Sequence, residues 1–302
     1  MSAVGGLLSG GGGSSGSRLA VAALAFNALA WGISWWPLRQ LQGQGLHALW
    51  ATVLIFSIAT LVILLARPQA LGQLLRAPSL WWLVLASGTT NAAFNWAVTI
   101  GDVVRVVLLF YLMPLWAVLL ARPLLGERLS AVAALRILLS LAGAAIVLLP
   151  AEGGWPLPRS LADALGVLGG FAFALNNVLL RREAQRPDGA RALAMFLGGA
   201  LVSAALALAL GAGGGVPPPP APAWPWMAGV LALAAWFLVG NLALQYGATR
   251  LAASTTAVVM VSEVLFASLS ALALGAATLS WPLLLGGGLI VAASLLAARG
   301  ER

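Results

Sequence analysis

The sequence predicts an all-α polytopic membrane protein, with ten transmembrane helices arranged as two inverted five-helix repeats. Three observations carry that expectation. Of 302 residues, 61% are hydrophobic and only 8% charged. A soluble domain carries about 25% charged residues, so this chain has too little polar surface to coat a water-soluble core. Charge is also missing over long gaps, from Arg18 to Arg39, Arg39 to Arg67, Arg76 to Asp102 and Arg191 to Arg250. Each holds at least the roughly 20 apolar residues of one bilayer crossing. Finally, the second half echoes the first. Asn95–Thr99 (NWAVT) resembles Gln245–Thr249 (QYGAT) 150 positions on, and Gly126–Ser130 resembles Ala276–Ser280 at the same offset. Trp31–Arg39 resembles Phe173–Arg181 at an offset of 142.

Taken in order, residues 1–18 are rich in Gly and Ser and are expected to be a disordered cytoplasmic lead. They lack the cleavage pattern of a signal peptide. Spans are expected at 19–39, 46–66, 79–99, 102–121 and 131–149, then at 161–181, 190–210, 224–245, 251–274 and 281–298. The first repeat thus covers 19–150, a periplasmic linker 151–160 and the second repeat 161–298, leaving 299–302 as a cytoplasmic tail. The long connection Gly211–Pro225 contains Pro217–Pro220, which cannot be helical and reads as a stiff polyproline loop. The alternating ten-residue pattern of a membrane barrel is missing.

Orientation follows from arginine. With a cytoplasmic N-terminus, Arg18, Arg67, Arg76, Arg122, Arg128, Arg136, Arg181, Arg182, Arg186, Arg191, Arg250, Arg299 and Arg302 fall inside, thirteen in all, against Arg39, Arg105 and Arg159 outside. That split fits a bacterial inner-membrane protein with both termini cytoplasmic. Five spans per half is odd, so the second repeat enters the membrane upside down, a recurring basis of alternating access. The formal charge of +8 is explained by orientation. It is not a nucleic-acid signal, because the arginines never pool on one face.

Polar side chains inside a span are expected to face protein or water. In span one, Asn27, Trp31, Ser34 and Trp35 form a single stripe at helical spacing. Asn91 and Asn95 lie four apart in span three. Asn177 in span six has Asn176 beside it and Phe173 one turn earlier, and span eight carries Phe237, Asn241 and Gln245. These residues either line a substrate pathway or tie helices together. Amides can hold both ends of a zwitterion, and Trp31 and Trp35 can stack on a ring. Tyr111 and Pro114 sit near the middle of span four, where the proline is expected to kink the helix. Glu263 is the one ionisable residue well inside a span, at a depth where a carboxyl must be paired, hydrated or protonated.

Asp102 and Arg105 are spaced to pair and to cap span four; Glu127 and Arg128 are expected to hold spans four and five together. Trp81, Trp82, Trp155, Trp224, Trp226 and Trp281 read as interfacial anchors, and Trp50 as facing lipid. With one histidine, His47, and no cysteine, no metal site or cofactor is expected. No phosphate-binding GxxxxGK[ST] loop is present. An enzyme would need a constellation of acid, base and nucleophile that the sequence does not offer, and a channel would not explain amides at matching places in the two halves.

The stretch Met113–Ser130 (MPLWAVLLARPLLGERLS), with Pro114 and then Gly126-Glu127-Arg128, resembles the drug/metabolite transporter superfamily and its EamA-like members. The second half departs from that pattern, because Glu263 is followed by Val264 where a Glu-Pro pair is usual. Together with Asn91–Val98 and Leu108–Glu127, the chain is most similar to the YddG-type aromatic amino acid exporters. The resemblance implies a secondary transporter exporting aromatic and other neutral amino acids through a central cavity. Its partners would be a small-molecule amino acid substrate and membrane lipid, with the chain acting as a monomer.

Overall fold

The computed structural model describes residues 11–126, 131–149, 157–248, 250, 259–260 and 262–299. The described residues are all helical or irregular, with no strand among them. The first part of the chain forms α1 (Gly11–Gly32), α2 (Trp35–Gly43), α3 (Ala48–Ala66), α4 (Gln69–Leu75), α5 (Leu80–Ile100), α6 (Val103–Phe110), α7 (Met113–Leu125) and α8 (Ala131–Leu148). The second part forms α9 (Leu161–Arg182), α10 (Asp188–Ala212), α11 (Trp224–Ala248), α12 (Ser262–Ala273) and α13 (Trp281–Arg299). Helix α1 begins eight residues before the predicted span, so part of the lead expected to be disordered is helical; extension needs only one hydrogen bond per added residue once a helix is nucleated.

Among the described residues, six segments are long and apolar enough to cross a membrane: Arg18–Gly43, Ala48–Ala66, Val103–Leu125, Leu161–Arg182, Asp188–Ala212 and Trp224–Leu244. Three shorter apolar helices accompany them, at Ala134–Leu148, Ser262–Ala273 and Trp281–Ala293. Helix α5 is not in either group. Ser87, Thr90, Asn91 and Asn95 dilute its apolar character, and the fold buries all four. Helix α5 is therefore the central post, packed by α10, α9 and α3.

Two of the long segments are broken. The first breaks at Ile33–Ser34, between α1 and α2, and the third at Tyr111–Leu112, between α6 and α7. Each break lies just before a proline, Pro37 and Pro114. A proline clashes with the carbonyl four residues back and offers it no N–H, and those carbonyls belong to Ile33 and Phe110. The expected kink at Pro114 is thus a full break upstream of it. Pro114 itself sits in the first turn of α7, where its missing N–H costs nothing. The Phe110 carbonyl released by Pro114 is approached by Gly170 of α9, where a Cβ would collide with it.

Helices of the two halves interleave. Helix α1 packs on α11 and α12, while α9 packs on α5, α6 and α7; α3 pairs with α10 and α8 with α13. Glycines make the closest crossings. A Cβ on Gly143 would come 2.6 Å from the Gly286 carbonyl and 2.7 Å from Ile290, and a Cβ on Gly286 would come 2.6 Å from the Gly143 carbonyl and 2.8 Å from Val147. Gly286 and Ile290 follow Gly143 and Val147 by the same 143 positions, so one shift exchanges the two sets of contacts.

Connections gather at two ends. At one, Gly45 lies by Pro220, Trp50 donates to the Pro217 carbonyl at 3.1 Å, and Arg39 donates to the carbonyls of Val98 and Gly101. At the other, Ser79 donates to Glu183 at 2.8 Å and Gly189 lies by Arg67. Trp50 was expected to face lipid. It is half-buried instead and pins the polyproline loop, because an indole N–H finds no acceptor in hydrocarbon. His47 caps α3, its Nδ1 accepting the Leu49 N–H at 3.2 Å.

Candidate functional site

At the centre of the bundle is a string of aromatic rings drawn from both halves. Trp31 of α1 stacks on Phe237 of α11, with centroids 4.5 Å apart and planes 23° from parallel. Phe94 of α5 meets Trp31 edge-on at 6.5 Å and Phe110 at 4.8 Å, and Phe110 meets Phe173 of α9 at 5.3 Å. The last two rings flank the α6–α7 break, so the backbone of span four is interrupted where the rings converge.

The amides expected to line a pathway turn out to be partly spent on holding helices. Asn27 donates to the Gly240 carbonyl at 2.8 Å, joining α1 to α11. Asn95 donates to Thr52 at 3.0 Å, joining α5 to α3, and Asn91 donates to the Ser87 carbonyl one turn back. Ser34 donates to the Trp31 carbonyl at 2.7 Å, serving the α1–α2 break, while the Trp35 indole donates to Ser270 of α12 at 3.0 Å. The amide oxygens of Asn27, Asn95 and Asn176 are buried without a hydrogen-bond partner among the described residues. Each is therefore an unused acceptor within a turn of a ring in the string.

On α9 the expected Asn177 is exposed, and its neighbour Asn176 is the buried one. Asn177 shares a face with Gly170 and Phe173. That face is shut against Phe110 at Gly170 and Phe173 and opens one turn later, at Asn177. Asn241 is half-buried and engaged. The side chains of Pro114 and Gln245 lie outside the described residues, as do Glu127 and Arg128. Tyr111, fully buried at the α6–α7 break, touches Glu263 of α12: its hydroxyl is 3.0 Å from Glu263 Oε2 and 3.0 Å from the Met260 carbonyl.

One end of this core is latched by a pair that sequence spacing misassigned. Asp102 caps α6 as expected, accepting the Arg105 N–H at 2.8 Å. The Arg105 guanidinium does not turn back to Asp102. It grips Asp163 of α9 through Nε at 2.7 Å and Nη2 at 3.0 Å, and donates from Nη1 to the Val147 carbonyl at 2.5 Å. The fork matches a carboxylate only when both oxygens lie in its plane, which a residue three positions away on the same turn cannot offer. Beside the latch, a Cβ on Gly101 would collide with Ala162. The pattern of polar residues in the spans does not mark Phe94, Phe110 or Asp163. The two phenylalanines adjoin marked residues, Asn95 and Tyr111. Asp163 follows Ser160 by three, the spacing of a helix cap, and Ser160 does cap it.

Residues 18–149 match the family model of the EamA-like transporters. The matched stretch runs from α1 to α8 and holds Trp31, the α6–α7 break and Arg105. No curated protein matches the chain. A crystal structure described only as that of a protein, 23% identical, superposes with a TM-score of 0.55 over 94% of this chain and 96% of the other. That likeness shows a shared fold over almost the whole length of both.

Proposed function

We propose that this is a secondary transporter that exports aromatic and other neutral amino acids across the bacterial inner membrane by alternating access, with ten spans in two inverted halves around a central site. The EamA-like match over the first half supports the transporter class. The exchange of contacts between Gly143 and Gly286, and the interleaved packing of the halves, support the duplication. The observation that carries the substrate class is the Trp31–Phe237 stack across the two halves, continued by Phe94 and Phe110. A flat ring entering between Trp31 and Phe237 trades one stacking contact for another, so an aromatic side chain gains surface without a large loss. The unused oxygens of Asn27, Asn95 and Asn176 offer acceptors for an ammonium group.

Access from one side at a time is part of this reading. The Arg105–Asp163 pair ties one end, where Gly101 lies against Ala162, and Asn177 is exposed toward the end that the arginine count makes cytoplasmic. The deciding experiment is counterflow in proteoliposomes against a panel of aromatic, other neutral and cationic amino acids. Preloaded phenylalanine or tryptophan should drive saturable uptake of the labelled amino acid. Failure with every amino acid, alongside counterflow of another metabolite, would overturn the substrate and leave the carrier standing. Unsaturable flux would overturn the carrier.

A further inference from the structure

Tyr111 Oη has two oxygen neighbours at hydrogen-bond distance, Glu263 Oε2 and the Met260 main-chain oxygen, each at 3.0 Å. A phenol carries one proton, and a main-chain carbonyl can only accept. If Glu263 is a carboxylate, one proton must serve both contacts. Tyr111 then donates to one neighbour and faces the other lone pair to lone pair, with a buried oxygen left unserved. If Glu263 is a carboxylic acid, both contacts become hydrogen bonds: Glu263 donates to Tyr111, and Tyr111 donates to Met260. We propose that Glu263 is a proton-binding site, occupied in this conformation, and that Tyr111 passes its hydrogen bond on to the main chain of the opposite half.

Among the described residues the acid has no counter-charge. Glu263 is 7% exposed and makes no ion pair among the described residues. Helix α12 is packed by α1 and α6 and bonded to α2 through Trp35 and Ser270. The titratable groups of those elements are Arg18, exposed at the far end of α1; Arg105, held by Asp163; and Arg39, held by the carbonyls of Val98 and Gly101. None supplies a counter-charge, and at this depth an uncompensated carboxylate is disfavoured. The contact joins Tyr111 at the break of span four to α12 in the second half. Losing the proton to water would leave Tyr111 one hydrogen short and loosen that junction.

The proposal stands on hydrogen bonding at this contact, whatever solute the protein carries, and its test reads protonation and not transport. Infrared difference spectra of the purified protein in lipid, between neutral and alkaline buffer, should show a protonated-carboxyl C=O band that shifts on deuteration. Glu263→Gln should remove that band. Tyr111→Phe should keep it but move it to higher frequency, because the acid loses its acceptor. A wild-type spectrum without the band, or a band that survives Glu263→Gln unchanged, overturns the proposal. Should Glu263→Gln fail to fold, Tyr111→Phe decides alone, and an unmoved band is then the contrary result.

Discussion

Replacing Asp163 by alanine strips the Arg105 guanidinium of two hydrogen bonds, at 2.7 and 3.0 Å, and leaves it only the Val147 carbonyl. Deleting one partner of a fully buried pair costs about 3–5 kcal/mol, and an exposed pair is worth about 0–1 kcal/mol. Here the Asp163 side chain is 5% exposed and that of Arg105 29%, so water screens one side of a bidentate contact. That places the loss at about 2 kcal/mol, between those limits. The pair ties α6 to α9 across the two halves, so the cost falls on the closed arrangement of this end. With tenfold for every 1.4 kcal/mol, the open population should rise about 30-fold. The chain has no cysteine, so a single one introduced at Ala97, fully buried on α5, can report opening through its rate of labelling by a membrane-impermeant maleimide. Asp163→Ala and Arg105→Ala should each raise that rate by roughly the same factor, and the double variant should add little more, as expected of one shared interaction. Unchanged labelling, or effects that multiply in the double variant, would show that the pair does not hold this end shut.

Other consequences can be checked separately. Gly143→Ala should lower stability by about 1–3 kcal/mol through overpacking, since its Cβ meets the Gly286 carbonyl, whereas Gly288→Ala, with nothing within 4 Å, should be neutral; thermal unfolding of the two in detergent would decide. Trp31→Ala should weaken binding of phenylalanine or tryptophan by at least about tenfold, one stacking contact being worth roughly 1 kcal/mol beyond its buried area, with Trp31→Phe keeping part of it; equilibrium binding of labelled substrate checks both, and equal affinities would remove Trp31 from the site. His47 is held below its ordinary value of 6.5 by burial and caps α3 only while Nδ1 is unprotonated. Its contribution is thus full above the unfolded value and lost as the pH falls through the depressed folded value. His47→Asn, a cap that does not titrate, should flatten the acid side of the melting-temperature profile, and an unaltered profile would deny the cap its role.

Much of the architecture could be read from the chain because hydrocarbon is a strict solvent: long charge-free gaps have few structures open to them. The breaks were signalled by Pro37 and Pro114, but a proline acts on the carbonyl four residues back, so the interruption lies upstream of the residue that causes it. Helix α5 is the converse case. Its span is legible at 79–99 although Thr and Asn dilute it, and the fold covers those polar residues with α9, α10 and α3. Pairings across the halves, such as Arg105 with Asp163 or Trp50 with Pro217, were hidden because spacing reveals only neighbours on the same helix. The burial of Asn176 beside an exposed Asn177 has the same origin: adjacent residues lie 100° apart around a helix, and which one turns inward is set by the helices packed on α9.

Alternating access requires one end of the protein to open and close as the halves move. Gly101 and Ala162 face each other across that end, close enough that a side chain at 101 meets residue 162. A Gly101→Cys, Ala162→Cys pair in this cysteine-free chain can be joined by oxidation and released by reduction. Counterflow of phenylalanine or tryptophan should stop in the joined protein and return on reduction, while substrate still binds from the other side. Undiminished counterflow with the bond fully formed would contradict alternating access through this core.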